Sequence, residues 1–199
     1  MTTEQQVTNE TLQRLILNSK YLRESSSNKQ KDVCSLSSII DMTMSQSDCI
    51  KIGVGCEKII SDLILDTTNL VDIKQANKKG KKETDHLFED KEKKIVYYAE
   101  LKSNLNLDTE KSKSTYSKCL DIVETLKTEY PDHEIKWCLL GLRHLDYDKI
   151  PKTVAKKYTE IQPNVFGINQ YMEMLGINLT FTEETYKQFI NDIANTMFA

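Results

Sequence analysis

The first third of the chain repeats its apolar positions with a helical period. Leu12, Leu15, Ile16 and Leu22 recur at helix-like intervals over residues 9 to 23, and Ser25, Ser26, Ser27 and Asn28 end that pattern with turn-forming side chains. A second helix is expected over about 33 to 46, and a third over about 54 to 66, where Ile59, Ile60, Leu63 and Ile64 form a broad apolar face. The period then shortens. Residues 68 to 74 are short and β-branched, a lysine and glycine loop follows at 77 to 80, and 83 to 88 reads as a second strand. A charged turn at 89 to 94 leads into a long strand over 95 to 102, so that these segments make a three-strand meander ending in a β-hairpin.

Helical spacing returns from 109 to 130, where Tyr116, Cys119, Leu120, Val123, Leu126 and Tyr130 recur every three or four residues before Pro131 stops the helix. Residues 135 to 142 are almost continuously apolar, which suits a strand buried on both faces. Strand, helix and strand of these lengths predict a parallel pair joined by a right-handed crossover. The last third reads as helical and irregular, with a helix over about 182 to 197. The expected fold is α/β, a central mixed β-sheet flanked by helices, with additional helices at both ends. At 199 residues it is expected to be a single domain.

Composition narrows the setting. Hydrophobic residues at 39% and charged residues at 29% are ordinary for a globular protein, and no apolar run approaches the roughly 18 residues that a membrane span needs. With no signal-peptide pattern at the N-terminus, a cytoplasmic location is expected. Cys34, Cys49, Cys56, Cys119 and Cys138 form no Cys-x-x-Cys pair, so free buried thiols are expected rather than a disulfide framework or a zinc site. A net charge of -3 does not advertise a nucleic-acid binder. The charge is uneven, however: Lys74, Lys78, Lys79, Lys81 and Lys82 occur with no acid between them, and Lys111, Lys113 and Lys118 follow further along, so local basic patches can exist within an acidic whole.

Alternation in the strand over 95 to 102 sends Val96, Tyr98, Glu100 and Lys102 to one face and Ile95, Tyr97, Ala99 and Leu101 to the other. Asp85, in the partner segment of the hairpin, can approach Glu100 across one strand spacing. Two carboxylates held together invite a divalent cation. Magnesium held in this way, with a lysine beside it, supplies the requirements of phosphodiester hydrolysis. A nearby cation would depress the Lys102 pKa, and the ammonium could polarise water or bind a phosphate oxygen.

The tripeptide Glu-x-Lys is not distinctive alone. Glu89-Asp90-Lys91 and Glu92-Lys93-Lys94 read as a solvated turn, and Glu134-Ile135-Lys136 follows Pro131-Asp132 with no room for a hairpin between its acids. Glu100-Leu101-Lys102 is distinguished by its place at the end of a strand that has a hairpin partner carrying Asp85. Lys111, Ser112, Lys113, Ser114 and Thr115 start the following helix, where they could hold DNA phosphates or simply be solvated. His86, His133 and His144 lack metal-ligand spacing.

Asp85, then Glu100-Leu101-Lys102, a helix and a buried strand resemble the PD-(D/E)xK nuclease superfamily, and among its members type II restriction endonucleases. Thr84 stands where the superfamily name has proline. The resemblance spans about 54 to 142. It implies catalysis by Asp85, Glu100 and Lys102, and Mg2+ held by Asp85, Glu100 and the Leu101 carbonyl, with Glu57 as an added ligand. It further implies cleavage of double-stranded DNA at a short palindromic site, leaving 5'-phosphate ends, by a homodimer.

Residues 143 to 199 would then serve recognition or dimerisation, with Gln162, Asn164, Asn169 and Gln170 as a polar segment that a loop explains equally well. Arg14, Arg23 and Arg143 are the only arginines available for guanine contacts. The alternatives are a repair, recombination or RNA-directed nuclease with the same core, and a non-catalytic interaction protein in which Glu100 and Lys102 merely pair.

Overall fold

The computed structural model describes residues 7–24, 46–74 and 83–198. The helix expected at 33 to 46 and the loop at 77 to 80 fall almost wholly outside them. The first helix is two: α1 (Asn9–Asn18), whose N-terminus is capped by the Thr8 hydroxyl, and α2 (Lys20–Glu24), separated where Ser19 takes extended backbone angles. The third, α3 (Gln46–Thr67), begins at residue 46 rather than 54. Gly53 and Gly55 interrupt the apolar pattern there and hid the earlier turns. Gly55 has a packing reason, since a Cβ on it would stand 2.9 Å from Leu22 of α2.

Among the described residues, five strands form one mixed sheet in the order β1 (Val71–Asp72), β2 (His86–Asp90), β3 (Ile95–Lys102), β4 (Glu134–Gly141) and β5 (Val165–Phe166). The first three are antiparallel neighbours, as the meander predicted, while β3, β4 and β5 run parallel. The turn at 91 to 94 closes the hairpin with Lys94 at φ 54°, in the left-handed region. Between β3 and β4 runs α4 (Thr109–Glu129), capped by Asp108 and ended before Pro131.

The pattern did not announce β5, because two residues carry no period. It completes the sheet by parallel pairing with β4, with the Leu139 N–H donating to the Asn164 carbonyl at 2.8 Å. Around it lie α5 (Lys152–Ala155) and α6 (Ile168–Met174), and the chain closes with α7 (Glu183–Phe198).

Cores on the two faces of the sheet fix β3. One joins Ile95, Tyr97, Ala99 and Leu101 to α3, α6 and α7 through Ile60, Ile64, Tyr171, Phe189 and Ile193. The other packs Val96 and Tyr98 against Cys119, Ile122, Val123 and Leu126 of α4. The alternation expected for β3 is therefore the observed one. Cys56, Cys119 and Cys138 are buried free thiols, but Cys49 is disulfide-bonded, a correction to the expectation. Pairing depends on the distance between cysteines in the fold, which their scatter along the chain does not report. Among the described residues no helix is long and apolar enough to cross a membrane.

Candidate active site

Glu100 continues the α4-facing side of β3 beyond Val96 and Tyr98, so the apolar packing that orders the strand also delivers a carboxylate to its end. The residue is only 1% exposed. Burial of a carboxylate requires partners, and Glu100 has two ammonium groups. Lys102 Nζ donates to Oε1 at 2.7 Å, and Lys118 Nζ reaches Oε1 at 2.9 Å and Oε2 at 2.7 Å. The Tyr98 hydroxyl adds a longer contact to Oε2 at 3.4 Å.

Asp85 stands in the bend just before β2 rather than inside the strand. The pairing of His86 with Ala99, continued by one step, sets Asp85 opposite Glu100. Its Oδ2 accepts the Leu101 N–H at 2.6 Å. The N–H and C=O of one strand residue leave on the same edge, so the Leu101 carbonyl faces the edge where Asp85 lies. Burial, then the adjacent Glu100 charge, push the Asp85 carboxyl up to about 6, against the Leu101 hydrogen bond and the Lys102 charge, with Glu57 adding to the rise. A crowded carboxylate of this kind is what a divalent cation relieves.

For Lys102, burial works to lower the pKa, but the hydrogen bond and charge of Glu100 outweigh it and the net direction is upward. In the metal-free protein Lys102 is thus held as an ammonium, a donor to an anionic oxygen rather than a base.

Glu57 reaches the same neighbourhood from α3 but is already paired. Lys74 Nζ donates to its Oε1 at 2.9 Å and to the Asp85 carbonyl at 3.0 Å, standing between the two acids. Glu57, Asp72, Lys74 and Asp85 line one cleft. Among the described residues, no three or more His, Cys, Asp or Glu side chains are grouped so as to hold a metal ion. Asp85 lies opposite Glu100 in the hairpin register and bonds the Leu101 N–H, so two carboxylates and one strand carbonyl share this end of β3, and such oxygens are of the type that a small hard cation takes while keeping most of its waters.

The remaining acids and histidines have other roles. His86 is buried, with Nε2 at 2.9 Å from the Glu57 carbonyl and Nδ1 at 2.9 Å from the Tyr171 hydroxyl. Burial depresses its pKa to about 4. The neutral ring, with the proton on Nε2, satisfies both contacts and braces the residue next to Asp85. His133 pairs with Glu89 at 3.2 Å, while Asp132 and Glu134, at the start of Glu134-Ile135-Lys136, lie exposed.

On α4, Lys111, Lys113 and Ser114 are exposed, with Lys111 Nζ 3.2 Å from Asp108. Ser112 does not join them: it is buried and its hydroxyl donates to the Thr109 carbonyl at 3.0 Å. Asn164, Asn169 and Gln170 are occupied within the fold, bonding the Trp137 carbonyl, the Phe181 backbone and the Tyr147 and Gly167 N–H groups. Gln162 is exposed and donates to the Tyr147 hydroxyl.

Sequence reasoning did not single out Lys118 or Lys74 for the site. Lys118 had a signal: it borders Cys119 on the apolar stripe of α4, and that stripe packs on the Glu100 side of β3. Lys74 had none beyond its place in a lysine-rich stretch.

A family model described as type II restriction endonuclease, HinfI, matches residues 6–194. No curated protein and no solved structure matches the chain.

Proposed function

Since this chain belongs to the type II restriction endonuclease family HinfI, and is accordingly a site-specific deoxyribonuclease acting on DNA, we propose that Asp85, Glu100 and Lys102 are its cutting centre. The observation that carries the reading is the meeting of Asp85 and Glu100 at the end of β3 with the Lys102 ammonium 2.7 Å from Glu100. Asp85, Glu100 and the Leu101 carbonyl would hold Mg2+, with Glu57 in reserve across the cleft. When bound, the cation supplies charge for the scissile phosphate and a water of lowered pKa.

The chain's own groups do the rest. Leu101 N–H fixes one Asp85 oxygen, leaving the other free to turn toward the cation position. Lys102, held charged by Glu100, donates to a non-bridging phosphate oxygen or to the attacking water. Packing of β3 on both faces keeps these groups rigid, so they need little reorganisation during the reaction. Lys111, Lys113 and Ser114 lie along α4, where they would contact the flanking phosphates.

We extend the proposal to a homodimer acting on a short palindromic duplex site and leaving 5'-phosphate ends. Two-fold symmetry in the protein would then match two-fold symmetry in the DNA. The single domain would place its catalytic core at about 54 to 142, with residues 143 to 199 serving recognition or dimerisation. Arg143 supports that division, being exposed just beyond Gly141, the partner of Lys102 across the sheet.

Incubation of supercoiled plasmid with the protein, with Mg2+ or with chelator, tests the centre. Discrete fragments are expected with Mg2+ alone, and their sequenced ends should be 5'-phosphorylated and symmetric about one short site. Glu100→Ala and Lys102→Ala should each reduce cleavage by about a thousandfold or more, the loss expected when several kcal/mol of transition-state stabilisation is removed. Undiminished cutting by either folded variant would move the centre elsewhere.

A further inference from the structure

Lys118 lies outside the Glu-x-Lys motif, yet it touches more of Glu100 than Lys102 does. Its Nζ spans both carboxylate oxygens, at 2.7 and 2.9 Å, whereas Lys102 meets Oε1 alone. Neither Glu100 oxygen is therefore free of an ammonium. The Glu100 side chain is 2% exposed and that of Lys118 29%, so the ion pair joins a buried acid to a cation that reaches solvent. On its outer side Lys118 borders an open groove with Ser114, Ser117, Asp121 and Glu83.

We propose that Lys118 is a counter-ion latch on Glu100: it satisfies the buried carboxylate in the metal-free enzyme, must release an oxygen when a divalent cation binds, and thereby sets the affinity of the site for that cation. The inference rests on the reading of Glu100 as a metal ligand. It makes Lys118 a positioning residue, acting through Glu100. A released ammonium swings toward the groove, where the Ser114 and Ser117 side chains are and where a DNA backbone phosphate can accept it. Phosphate and carboxylate then compete for one ammonium, so DNA binding frees Glu100 and raises metal affinity, and by linkage metal raises DNA affinity equally.

The sign of one measurement separates a latch from a structural prop. A prop that merely orients Glu100 would, when removed, weaken metal binding. Removal of a latch strengthens it: even with water-like screening, one unit charge about 6 Å from a divalent ion changes its affinity roughly tenfold.

The experiment is calorimetric titration of Mn2+ into the DNA-free protein, with circular dichroism confirming the fold of each variant. Lys118→Gln is expected to bind Mn2+ about tenfold more tightly than the wild type. Lys118→Arg, which keeps the charge and can bridge both oxygens, should stay within about twofold, as should Lys127→Gln at the far end of α4. Addition of a duplex with a non-cleavable backbone should tighten Mn2+ binding in the wild type and much less in Lys118→Gln.

Unchanged or weaker Mn2+ binding by folded Lys118→Gln overturns the latch. Should Lys118→Gln not fold, tenfold weaker binding by Lys118→Arg would overturn it, and wild-type affinity in that variant would uphold the charge requirement. Glu100→Gln separates the two levels. If it binds Mn2+ as the wild type does, the metal-site reading fails and the latch with it, whereas Glu100-dependent binding that ignores Lys118 refutes the latch alone.

Discussion

Replacing Asp85 by asparagine should abolish cutting and yet make the metal-free fold more stable. Asp85 is crowded by burial and by Glu100, which raise its carboxyl from 3.8 to about 6. At about 1.4 kcal/mol per pKa unit, an ionised Asp85 costs the folded state roughly 3 kcal/mol at pH 8. The sign follows from proton uptake. Because the folded pKa is the higher one, the folded state binds the extra proton between pH 3.8 and about 6, so the cost is complete above that window and vanishes below it.

Asparagine removes the charge, and its oxygen can still accept the Leu101 N–H. Asp85→Asn is therefore expected to gain about 3 kcal/mol at pH 8 and about 1.5 kcal/mol at pH 5. Urea unfolding in chelator, followed through the fluorescence of the single tryptophan, Trp137, measures both values. Saturating Mg2+ should stabilise the wild type alone and narrow the gap. A variant less stable than wild type at pH 8, or a gain that does not shrink with acidification, would refute the reasoning.

The His86 brace gives the opposite slope. Its folded pKa is depressed to about 4 from 6.5, so the unfolded chain binds the proton first and stability is lost as pH falls below about 6.5. In the Asp85→Asn background, unfolding free energy should drop by about 2 kcal/mol from pH 7 to pH 5, and a further His86→Gln change should flatten that dependence. Gly167→Ala would set a Cβ 2.3 Å from the Leu145 carbonyl oxygen. A loss of about 2–3 kcal/mol is expected, visible as a melting temperature lower by roughly 5–10 °C. On the DNA side, Lys113→Ala should reduce the slope of log affinity against log salt by about one in a gel-shift series with Ca2+, whereas Ser112→Ala, buried on α4, should leave it unchanged.

The parts of the fold that the sequence reveals are those where local pattern and tertiary demand agree. β3 could be read to the residue because both its faces are buried and its turn is charged; α4 could be read because Asp108 and Pro131 bracket an apolar stripe. Asp85 was recognised as a partner of Glu100 but placed in a strand, since one residue before His86 is beyond the precision of propensity. β5 was missed for brevity, and the early turns of α3 because glycines there serve contact with α2. The site divides in the same way. Asp85, Glu100 and Lys102 lie on one hairpin, so local alternation finds them. Lys118 and Lys74 come from other elements, and the pairing of an ammonium with a buried carboxylate depends on how α4 and the loop after β1 lie on the sheet. The amides at 164, 169 and 170 show the converse, a polar segment whose hydrogen bonds turn inward.

The two-sided burial of β3 also restricts how this protein can vary. In genetic terms the strand is a reading frame of two. Deleting or inserting one codon between Ile95 and Ala99 would turn Glu100 and Lys102 into the core beside α3 and α7 and bring Leu101 to the cutting centre. Substitutions keep the frame and length changes of two restore it, so single-residue insertions and deletions should be confined to segments outside the paired strands, and even the exposed turn at 91 to 94 is constrained, because its length sets β2 against β3 and so Asp85 against Glu100.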